Sequence, residues 1–471
     1  MREADLVVIG GGPAGISAAI EAARRDVSVV VVDENRSLGG KVLKQQEGGL
    51  DIRHTDLFEA EVSRRLLGEF EQIAGKVTLY LGTEVWNIDD QKIIELYREN
   101  DSASPPKRIR AQKLIIATGA QERAIPFPGW TLPGVFSVGG LNTLVKRGVL
   151  PGKNFLVAGS GPLLLVLAYN LIQAGAHLSA LVEAASLRDL ATRSLQLVSG
   201  AGWVRYRQAS TYLARLHARK VPVYRSHAVV RVLGHQAEAR DDVTQAVIAK
   251  LDADWRPIAG TQKEIPVDTV AVGYGLTPTI ELTRLMGCRH DYDDRLGYWR
   301  AVRSSRMETT IPGVFVAGDG SQIKGYEAAI EEGRAAGIAA CAQLGKLSLD
   351  QADRQIRPLQ RKLKRAKKFG EALDAISAPR PGILHSMPDD TIICRCEEVK
   401  LRDIRNAVAY GAGGINDIKR RTRLGMGHCQ GRFCGQLINE LLWKISGEQK
   451  KREVFTPRIP VKPVPFGALL E

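Results

Sequence analysis

The sequence contains little cysteine, few aromatic residues and no long apolar segment at its start. Only 6 of its 471 residues are cysteine, which excludes a small secreted fold stapled by disulfides. No Cys-x-x-Cys pair occurs, so the redox dithiol of a disulfide reductase is not expected. The first apolar run, Leu6–Ile9, stops at glycines. We therefore expect a cytoplasmic protein without a secretory leader.

The composition is that of a globular protein, with 44% hydrophobic and 25% charged residues, and the length suggests about three domains. The net charge is +14, but residues 341–471 alone carry 25 Lys and Arg against 14 Asp and Glu. Within them, residues 347–378 are polar, basic and helical in pattern. This is typical of a solvated helix face, with docking of an acidic partner as the alternative. Because aromatic residues do not alternate with these basic residues, nucleic acid is not an expected partner.

The N-terminal residues have the pattern of a buried strand, a glycine-rich turn, a helix and a second strand. Gly10 allows a tight turn, Gly12 lets the backbone approach a pyrophosphate, and Gly15 lets the helix pack close to the strand. Asp33 stands 23 residues after Gly10, where an acid accepts hydrogen bonds from ribose, and Glu34 is the alternative. This predicts a site for the ADP part of a dinucleotide. Its turn and helix start are formed by Gly10, Gly12, Pro13, Ala14 and Gly15.

Three further segments favour FAD over NAD as the ligand of this site. A glycine pair closely follows the acid, a buried strand ends in Ala-Thr-Gly, and a later strand ends in Gly-Asp before a helical stretch. Each segment could be a simple turn, but the three together favour FAD. The residues that carry this prediction are Gly40, Lys41, Ala117, Thr118, Gly119, Gly318 and Asp319.

A second strand–turn–helix pattern begins at Phe155 and predicts another doubly wound domain, inserted in the first. The third small residue of its turn is missing, because Leu164 stands there. A leucine at this position widens the gap between helix and strand or fills space that a cofactor needs. Glu183 would repel a 2′-phosphate and so disfavours NADP. We predict a degenerate domain kept for structure, with NAD use as the alternative. Residues 155–182 carry no formal charge, but their turn and polar residues argue against a membrane span.

Four cysteines lie within 41 positions, in the order Cys-x-Cys, 32 residues, Cys-x4-Cys. Four thiolates hold either a [2Fe–2S] cluster or one zinc ion, and nearby basic residues would stabilise both anionic centres. A one-electron centre is useful beside a two-electron flavin, whereas zinc is not. We therefore predict a [2Fe–2S] cluster and keep zinc as the alternative. The predicted ligands are Cys394, Cys396, Cys429 and Cys434; Cys288 and Cys341 are expected to be small buried apolar residues.

Together these motifs resemble the α-type subunits of hydrogen cyanide synthase, of opine oxidases, and of dye-linked proline or D-hydroxyproline dehydrogenases. Besides the glycine motifs, residues 126–135, 394–399 and 421–434 carry the resemblance, which covers almost the whole chain. It implies an α/β fold with two doubly wound dinucleotide-binding domains of the two-dinucleotide flavoprotein type and a small C-terminal four-cysteine iron–sulfur domain. We expect the FAD-binding domain at 1–150 and 295–345, the inserted NAD-like domain at 151–294, a basic helical linker at 346–385, the [2Fe–2S] domain at 386–445, and, at 446–471, an extended tail that lies on this chain or on a neighbouring one.

The resemblance also implies a division of labour between subunits. In that family a second flavoprotein subunit, similar to D-amino-acid oxidase, removes hydride from the carbon next to an amine. The α subunit carries the electrons away. Some relatives have a small ferredoxin-like third subunit, and some hold an additional flavin at a subunit interface, which we expect to be FMN in this protein. Asp319 would accept a hydrogen bond from the ribitol of FAD, and no catalytic acid or base is nominated. The alternatives are a self-sufficient NADH-dependent reductase and a nucleotide-binding scaffold. Membrane association, if any, would be peripheral and through partners.

Overall fold

The computed structural model describes residues 1–43, 57–99, 106–198, 202–237, 240–447 and 452–469. The elements that begin before residue 150 are β1 (Arg2–Ile9), α1 (Pro13–Ala23), β2 (Val29–Asp33), α2 (Leu57–Glu71), β3 (Val77–Leu81), β4 (Glu84–Ile88), β5 (Ile93–Tyr97), β6 (Arg108–Ile116), β7 (Ala120–Glu122), β8 (Val135–Ser137) and α3 (Val138–Lys146). The next are β9 (Asn154–Gly159), α4 (Pro162–Gln173), β10 (His177–Glu183), α5 (Leu187–Val198), α6 (Gly202–Ala218), β11 (Val223–Arg225), β12 (His227–Ala237), β13 (Arg240–Lys250), β14 (Lys263–Pro266), β15 (Thr269–Gly273), β16 (Leu276–Pro278), α7 (Glu281–Leu285) and β17 (His290–Asp293). The last are β18 (Tyr298–Ala301), β19 (Val314–Val316), α8 (Tyr326–Gln343), α9 (Leu349–Ser377), α10 (Pro381–His385), β20 (Ile392–Cys394), β21 (Val399–Lys400), α11 (Leu401–Ala409), α12 (Ile415–Thr422) and α13 (Ile438–Ser446).

The first sheet is built around β1, with the strand order β3-β2-β1-β6-β5-β4, and β19 also pairs with β6. Strands β1, β2, β3, β6 and β19 are parallel. The apolar run of β2 is buried on both faces, as in parallel sheets that helices cover on both sides. Because β1, β6 and β19 are parallel neighbours, their carboxyl ends meet at one edge of the sheet, where doubly wound folds bind their ligands.

The second sheet is parallel throughout, with the order β11-β10-β9-β15-β8. The antiparallel sheet β12-β13-β14 packs against it through a shared apolar core. The parallel strands of these two sheets confirm the predicted pair of doubly wound units, and β4 and β5 extend the first sheet as antiparallel strands. Strand β8 belongs to the second sheet, since Val135 pairs with Val270 of β15. We therefore propose that the inserted domain begins near residue 135 instead of 151.

The C-terminal part begins with the long helix α9. Ser348 and Gln351 form a capping box at its start, and its apolar face, with Ala352 and Ile356, packs into the core beneath α8. This confirms the helical pattern predicted for this basic segment. Strands β20 and β21 and helices α11 to α13 follow and share one apolar core. Phe455 and Val461 of the tail are buried against this same chain. No helix in the described ranges is long and apolar enough to cross a bilayer.

Helices α1 and α8 pack unusually close together because α8 presents glycines to α1. A Cβ atom on Gly333 would lie 2.0 Å from the carbonyl oxygen of Ala14, whereas a Cβ on Gly370 of α9 would meet nothing within 4 Å. We expect Gly333→Ala to lower the melting temperature in thermal unfolding, because overpacking a core costs about 1–3 kcal/mol. The matched change Gly370→Ala should raise it, since alanine favours a helix over glycine. Equal effects of both changes would contradict this packing argument.

Candidate cofactor sites

The first glycine turn, between β1 and α1, leaves no room for side chains. Gly10 has φ +105°, and a Cβ atom there would lie 2.3 Å from the carbonyl oxygen of Ala117. A Cβ on Gly15 would lie 1.8 Å from the carbonyl oxygen of Gly10. The turn is therefore as tight as the sequence predicts, and the helix lies directly against the strand.

The start of α1 is suited to an anion. The helix begins at Pro13, and Gly12 before it offers no side-chain cap to the first-turn N–H groups. These groups and the helix dipole form a site that favours a phosphate. The Gly39-Gly40 pair packs beside it, because the N–H of Gly39 donates to the carbonyl oxygen of Gly11 at 2.8 Å and Gly40 faces Gly12. These features fit the pyrophosphate of a dinucleotide.

The two acidic residues at the end of β2 face different ways. Asp33 is buried and accepts hydrogen bonds from the backbone N–H groups of Gly11 and Asn35. Its carboxylate thus holds the turn in shape. Glu34 is half exposed and forms an ion pair with Lys462 of the tail. Asp33 and Glu34 both remain predicted ribose contacts, and Lys462 is a neighbour that the sequence did not indicate.

A buried carboxylate beneath the Gly318-Asp319 turn holds this turn in place. Glu332 of α8 is 1% exposed and accepts the N–H of Gly318 at 2.9 Å. Arg303 bonds both its oxygens, at 2.6 and 2.9 Å, and Lys324 bonds one of them at 3.1 Å. Burial opposes ionisation of Glu332, but these two cations hold its pKa below the usual value. The sequence analysis did not identify Glu332. Its signal is a charged residue among the alanines and glycines of α8, four residues after Ala328, which indicates that it has a buried partner.

Asp319 is the acidic residue of this turn. Burial raises its pKa to about 6, although it accepts the N–H of Lys324 at 3.0 Å. A half-buried carboxylate is suited to accept hydrogen bonds from a hydroxyl-rich ligand. Thr118 lies beside it, because a Cβ on Gly320 would stand 3.4 Å from the hydroxyl of Thr118. Lys41 donates to the carbonyl oxygen of Ala120 at 2.8 Å.

The predicted residues of the first site therefore converge from four segments of the chain. The glycine turn follows β1, Ala117, Thr118 and Gly119 follow β6, and Gly318 and Asp319 follow β19. The turn of Gly40 and Lys41 closes one side. These segments meet at the carboxyl edge of the first sheet, where a phosphate-binding helix start and the Asp319 carboxylate both lie, which fits an extended dinucleotide such as FAD.

The second glycine turn, after β9, is covered by the end of α9. The hydroxyl of Ser160 donates to the carbonyl oxygen of Ser377 at 2.6 Å, and a Cβ on Gly161 would lie 3.4 Å from the Cβ of Ser377. Arg380, just beyond, is fixed to Asp189 at 2.6 Å. The end of α9 thus lies where the pyrophosphate of NAD would lie on this fold. The turn itself did not indicate this, because the covering residues are more than 200 positions away in the sequence.

The core of this second unit is equally unsuited to a cofactor. Leu164 is 1% exposed and packs with Val138 and Leu141 in the core beside α4. Glu183 at the end of β10 is enclosed, and burial raises its pKa to about 7. Tyr274, after β15, is also buried, and burial raises the pKa of its hydroxyl. A degenerate domain remains our interpretation.

The four clustered cysteines come together as two pairs of thiols. Cys394 pairs with Cys434, and this hydrogen bond, with N–H groups of the surrounding loop, lowers the pKa of Cys394 to about 5. Cys396 pairs with Cys429, and burial raises the pKa of Cys396. The two pairs also interact, since the charge of Cys394 acts on Cys396 and that of Cys429 acts on Cys434. Four thiols this close together can supply the four ligands of a [2Fe–2S] cluster.

The loop that carries these cysteines is supported by the tail and by exposed polar groups. A Cβ on Gly431 would lie 2.5 Å from the ring of Phe455, and one on Gly425 would lie 2.8 Å from it, so these glycines let the tail pack closely. The ring of His428 is exposed and lies 3.7 Å from the sulfur of Cys396. His428 therefore borders the site beside Cys396. Cys288 and Cys341 lie outside this loop and are buried, as expected.

The cysteine loop contacts the first dinucleotide site directly. The side-chain amide of Gln121 in β7 donates to the backbone carbonyl of Arg432 at 3.1 Å. Gln121 directly follows Ala120, whose carbonyl oxygen accepts the Lys41 hydrogen bond. Two candidate cofactor sites that are about 300 residues apart in sequence are therefore joined by one hydrogen bond.

Comparison with known proteins places both sites in a family. A family model described as pyridine nucleotide-disulphide oxidoreductase matches residues 4–333, which is more than half of the chain. The chain belongs to this oxidoreductase family. A second model, the BFD-like [2Fe-2S] binding domain, matches residues 392–444 and contains all four clustered cysteines. For this oxidoreductase, the two matches imply FAD and a [2Fe–2S] cluster.

Relatives of this oxidoreductase share its whole length. It is 32% identical to the HcnB component of hydrogen cyanide synthase from Pseudomonas protegens, over 98% of this chain and 96% of that protein. It is 32% identical to an opine oxidase subunit of Agrobacterium tumefaciens, over 99% of this chain and 91% of that protein. The L-proline dehydrogenase of P. horikoshii has the same fold, with a TM-score of 0.68 at 22% identity over 100% of this chain and 80% of that one. The predicted resemblance is thereby confirmed.

Proposed function

We propose that this chain is the electron-transferring α subunit of a hetero-oligomeric dehydrogenase or oxidase. The complex would oxidise the C–N bond of an amino acid, an imino acid or an opine. The observation that carries the proposal is the contact between Gln121, beside the FAD groove, and Arg432, within the cysteine loop. A two-electron and a one-electron centre held this close can pass electrons from one to the other. The names of the relatives, hydrogen cyanide synthase and opine oxidase, supply the substrate class.

The chain's own residues would hold the two cofactors and tune them. The start of α1 would bind the pyrophosphate of FAD, Asp33 or alternatively Glu34 the ribose, and Asp319 the ribitol. The cluster would be ligated by the four cysteines of the C-terminal loop. FAD supplies two-electron chemistry and the cluster one-electron transfer. The Gln121–Arg432 contact would hold the two centres near each other.

The hydride-removing step would belong to a partner. We infer a D-amino-acid-oxidase-like flavoprotein subunit, with a further partner in the form of a small ferredoxin-like protein, and an FMN at a subunit interface. The basis is the resemblance, together with the lack of a candidate catalytic acid or base in either site. The complex would be cytoplasmic, with at most peripheral membrane association through its partners.

One alternative, a self-sufficient NADH-dependent reductase, would require the second glycine turn to bind NADH. The Ser160–Ser377 hydrogen bond and the packing of Gly161 against Ser377 oppose it. The other alternative, a nucleotide-binding scaffold, would leave the paired cysteines without a role. Absence of flavin absorption from the purified chain would favour the scaffold.

The proposal is tested by isolating the native complex through a tag on this chain. We expect a second flavoprotein to copurify, and we expect the complex to reduce a dye with one of L-proline, D-hydroxyproline, octopine, nopaline or glycine. The same isolation with the Cys434→Ala variant serves as the control, which should retain the partner but lose much of the dye reduction. A tagged chain that purifies alone and reduces the dye with NADH would contradict the proposal.

A further inference from the structure

Arg432 is a basic side chain of the cysteine loop that faces the protein and not the solvent. Its guanidinium donates to the carbonyl oxygen of Cys429 at 3.2 Å and to that of Val461 in the tail. Its Nε lies 3.2 Å from a carboxylate oxygen of Glu281 in α7, and the Arg432 side chain is only 17% exposed. Three separate parts of the chain thus fix one cation beside a predicted cluster ligand.

Two other cations of this region, Arg423 and Arg420, differ from Arg432 in exposure, whereas Lys419 is half-buried and interacts with Cys434. Arg423 pairs with Glu397 at 2.7 Å, but its side chain is 69% exposed, and Arg420 is 75% exposed. Water and salt screen such charges, so they act weakly on a neighbouring centre. A charge that is mostly buried is screened far less. Arg432 therefore has more electrostatic influence on the cysteine loop than these two residues, although the sequence shows all three simply as basic.

Glu281 is the matching anion. One of its carboxylate oxygens faces Arg432, and the other is buried without a hydrogen-bond partner among the described residues. Because only one of its two carboxylate oxygens faces a cation, part of the negative charge of Glu281 is uncompensated. Burial raises the pKa of Glu84 in β4, and the nearby Arg432 charge opposes part of this rise. The cation therefore lies between the cysteine loop and two carboxylates of the FAD-binding domain.

We propose that the Arg432–Glu281 pair sets the reduction potential of the [2Fe–2S] cluster relative to the flavin. This inference rests on the proposed function, because it requires both cofactors. A cluster with four thiolate ligands is an anion, and reduction adds one more negative charge. The Arg432 charge stabilises the reduced form more than the oxidised form, and the Glu281 charge opposes it. Through Gln121, the same residue is also joined to the segment beside the flavin. Arg432 is thus a positioning residue and not a catalytic residue.

The test is an EPR-monitored redox titration of the purified holoprotein, in which the midpoint potential of the cluster is measured. Arg432→Gln should lower this potential, and Glu281→Gln should raise it, each by about tenfold in the ratio of reduced to oxidised cluster, or roughly 59 mV for one electron. Arg432→Lys keeps the charge and should stay near the wild-type value. Arg423→Gln, which removes an exposed cation of the same loop, is the matched control and should change the potential little.

Opposite signs in the two variants, with iron content unchanged, are the signature of an electrostatic role. A purely structural role would shift both potentials in the same direction. That result, or unchanged potentials in variants that retain the cluster, would overturn this inference and leave the proposed function intact. Should Arg432→Gln fail to assemble a cluster, Glu281→Gln and Arg432→Lys still decide the question. A wild-type protein without flavin or cluster would overturn the proposed function, and this inference with it.

Discussion

Replacing Cys434 with alanine is expected to remove the bound iron and the EPR signal of the reduced cluster, while FAD stays bound. Cys434 is buried and pairs with Cys394, so no other thiol of the loop can take its place. Its removal leaves one pair incomplete, and an iron with a single thiolate ligand is not held. Cys396→Ala should have the same effect through the other pair. The measurement is iron content together with low-temperature EPR after reduction by dithionite.

The control for this experiment is Cys341→Ala. Cys341 is fully buried in α8, in the core of the FAD-binding domain, and its thiol plays no part in the cysteine loop. We expect it to retain both iron and FAD. Full iron in both Cys434→Ala and Cys396→Ala would show that the four cysteines do not act as one ligand set. Zinc bound in the wild type in place of iron would establish the zinc alternative.

Replacing Asp319 with alanine is expected to weaken FAD binding roughly 10- to 150-fold. A hydrogen bond to a charged acceptor contributes about 1.5–3 kcal/mol, and each 1.4 kcal/mol is a factor of ten in affinity. The turn itself should survive, because Glu332 holds the N–H of Gly318 independently of Asp319. The measurement is the dissociation constant of FAD from fluorescence titration of the apoprotein.

Asp350→Ala is the matched control for this change. Asp350 is an exposed carboxylate in the first turn of α9 and does not border the FAD groove. Its replacement should leave the dissociation constant of FAD unchanged. Equal FAD affinity in the wild type and Asp319→Ala would remove Asp319 from the site. A loss of helical signal in Asp319→Ala would instead assign its effect to the fold.

The sequence could predict the first site because its determinants are local. The glycines after β1 act through backbone geometry that depends on residues a few positions away, and the carboxyl ends of parallel strands meet by topology. Local spacing also indicated the four cysteines and the helix that became α9. What it left ambiguous was the direction of a side chain: Asp33 and Glu34 are adjacent, and only the packing turns the first inward and leaves the second exposed.

The features that could not be predicted are pairings between distant segments. Ser377 lies on the second glycine turn, and Gln121 contacts the cysteine loop. Both contacts arise because whole domains dock on one another, which no short sequence pattern encodes. Phe455 and Lys462 reach both sites because an irregular tail follows the surface of its own chain. Strand β8 joins the second sheet although the glycine pattern of that domain begins almost 20 residues later, since pairing with β15 completes the sheet edge.

In the proposed function, electrons reach this chain from a partner flavoprotein and not from a nicotinamide. The most direct measurement mixes the purified flavin-loaded chain anaerobically with excess NADH and follows the flavin absorbance by stopped flow, with dithionite as the positive control. Because the end of α9 covers the second glycine turn, we predict full bleaching with dithionite and none with NADH within minutes. Reduction should then appear with an amine substrate when the partner flavoprotein is present. Bleaching by NADH within seconds would contradict the account and establish the chain as a reductase in its own right.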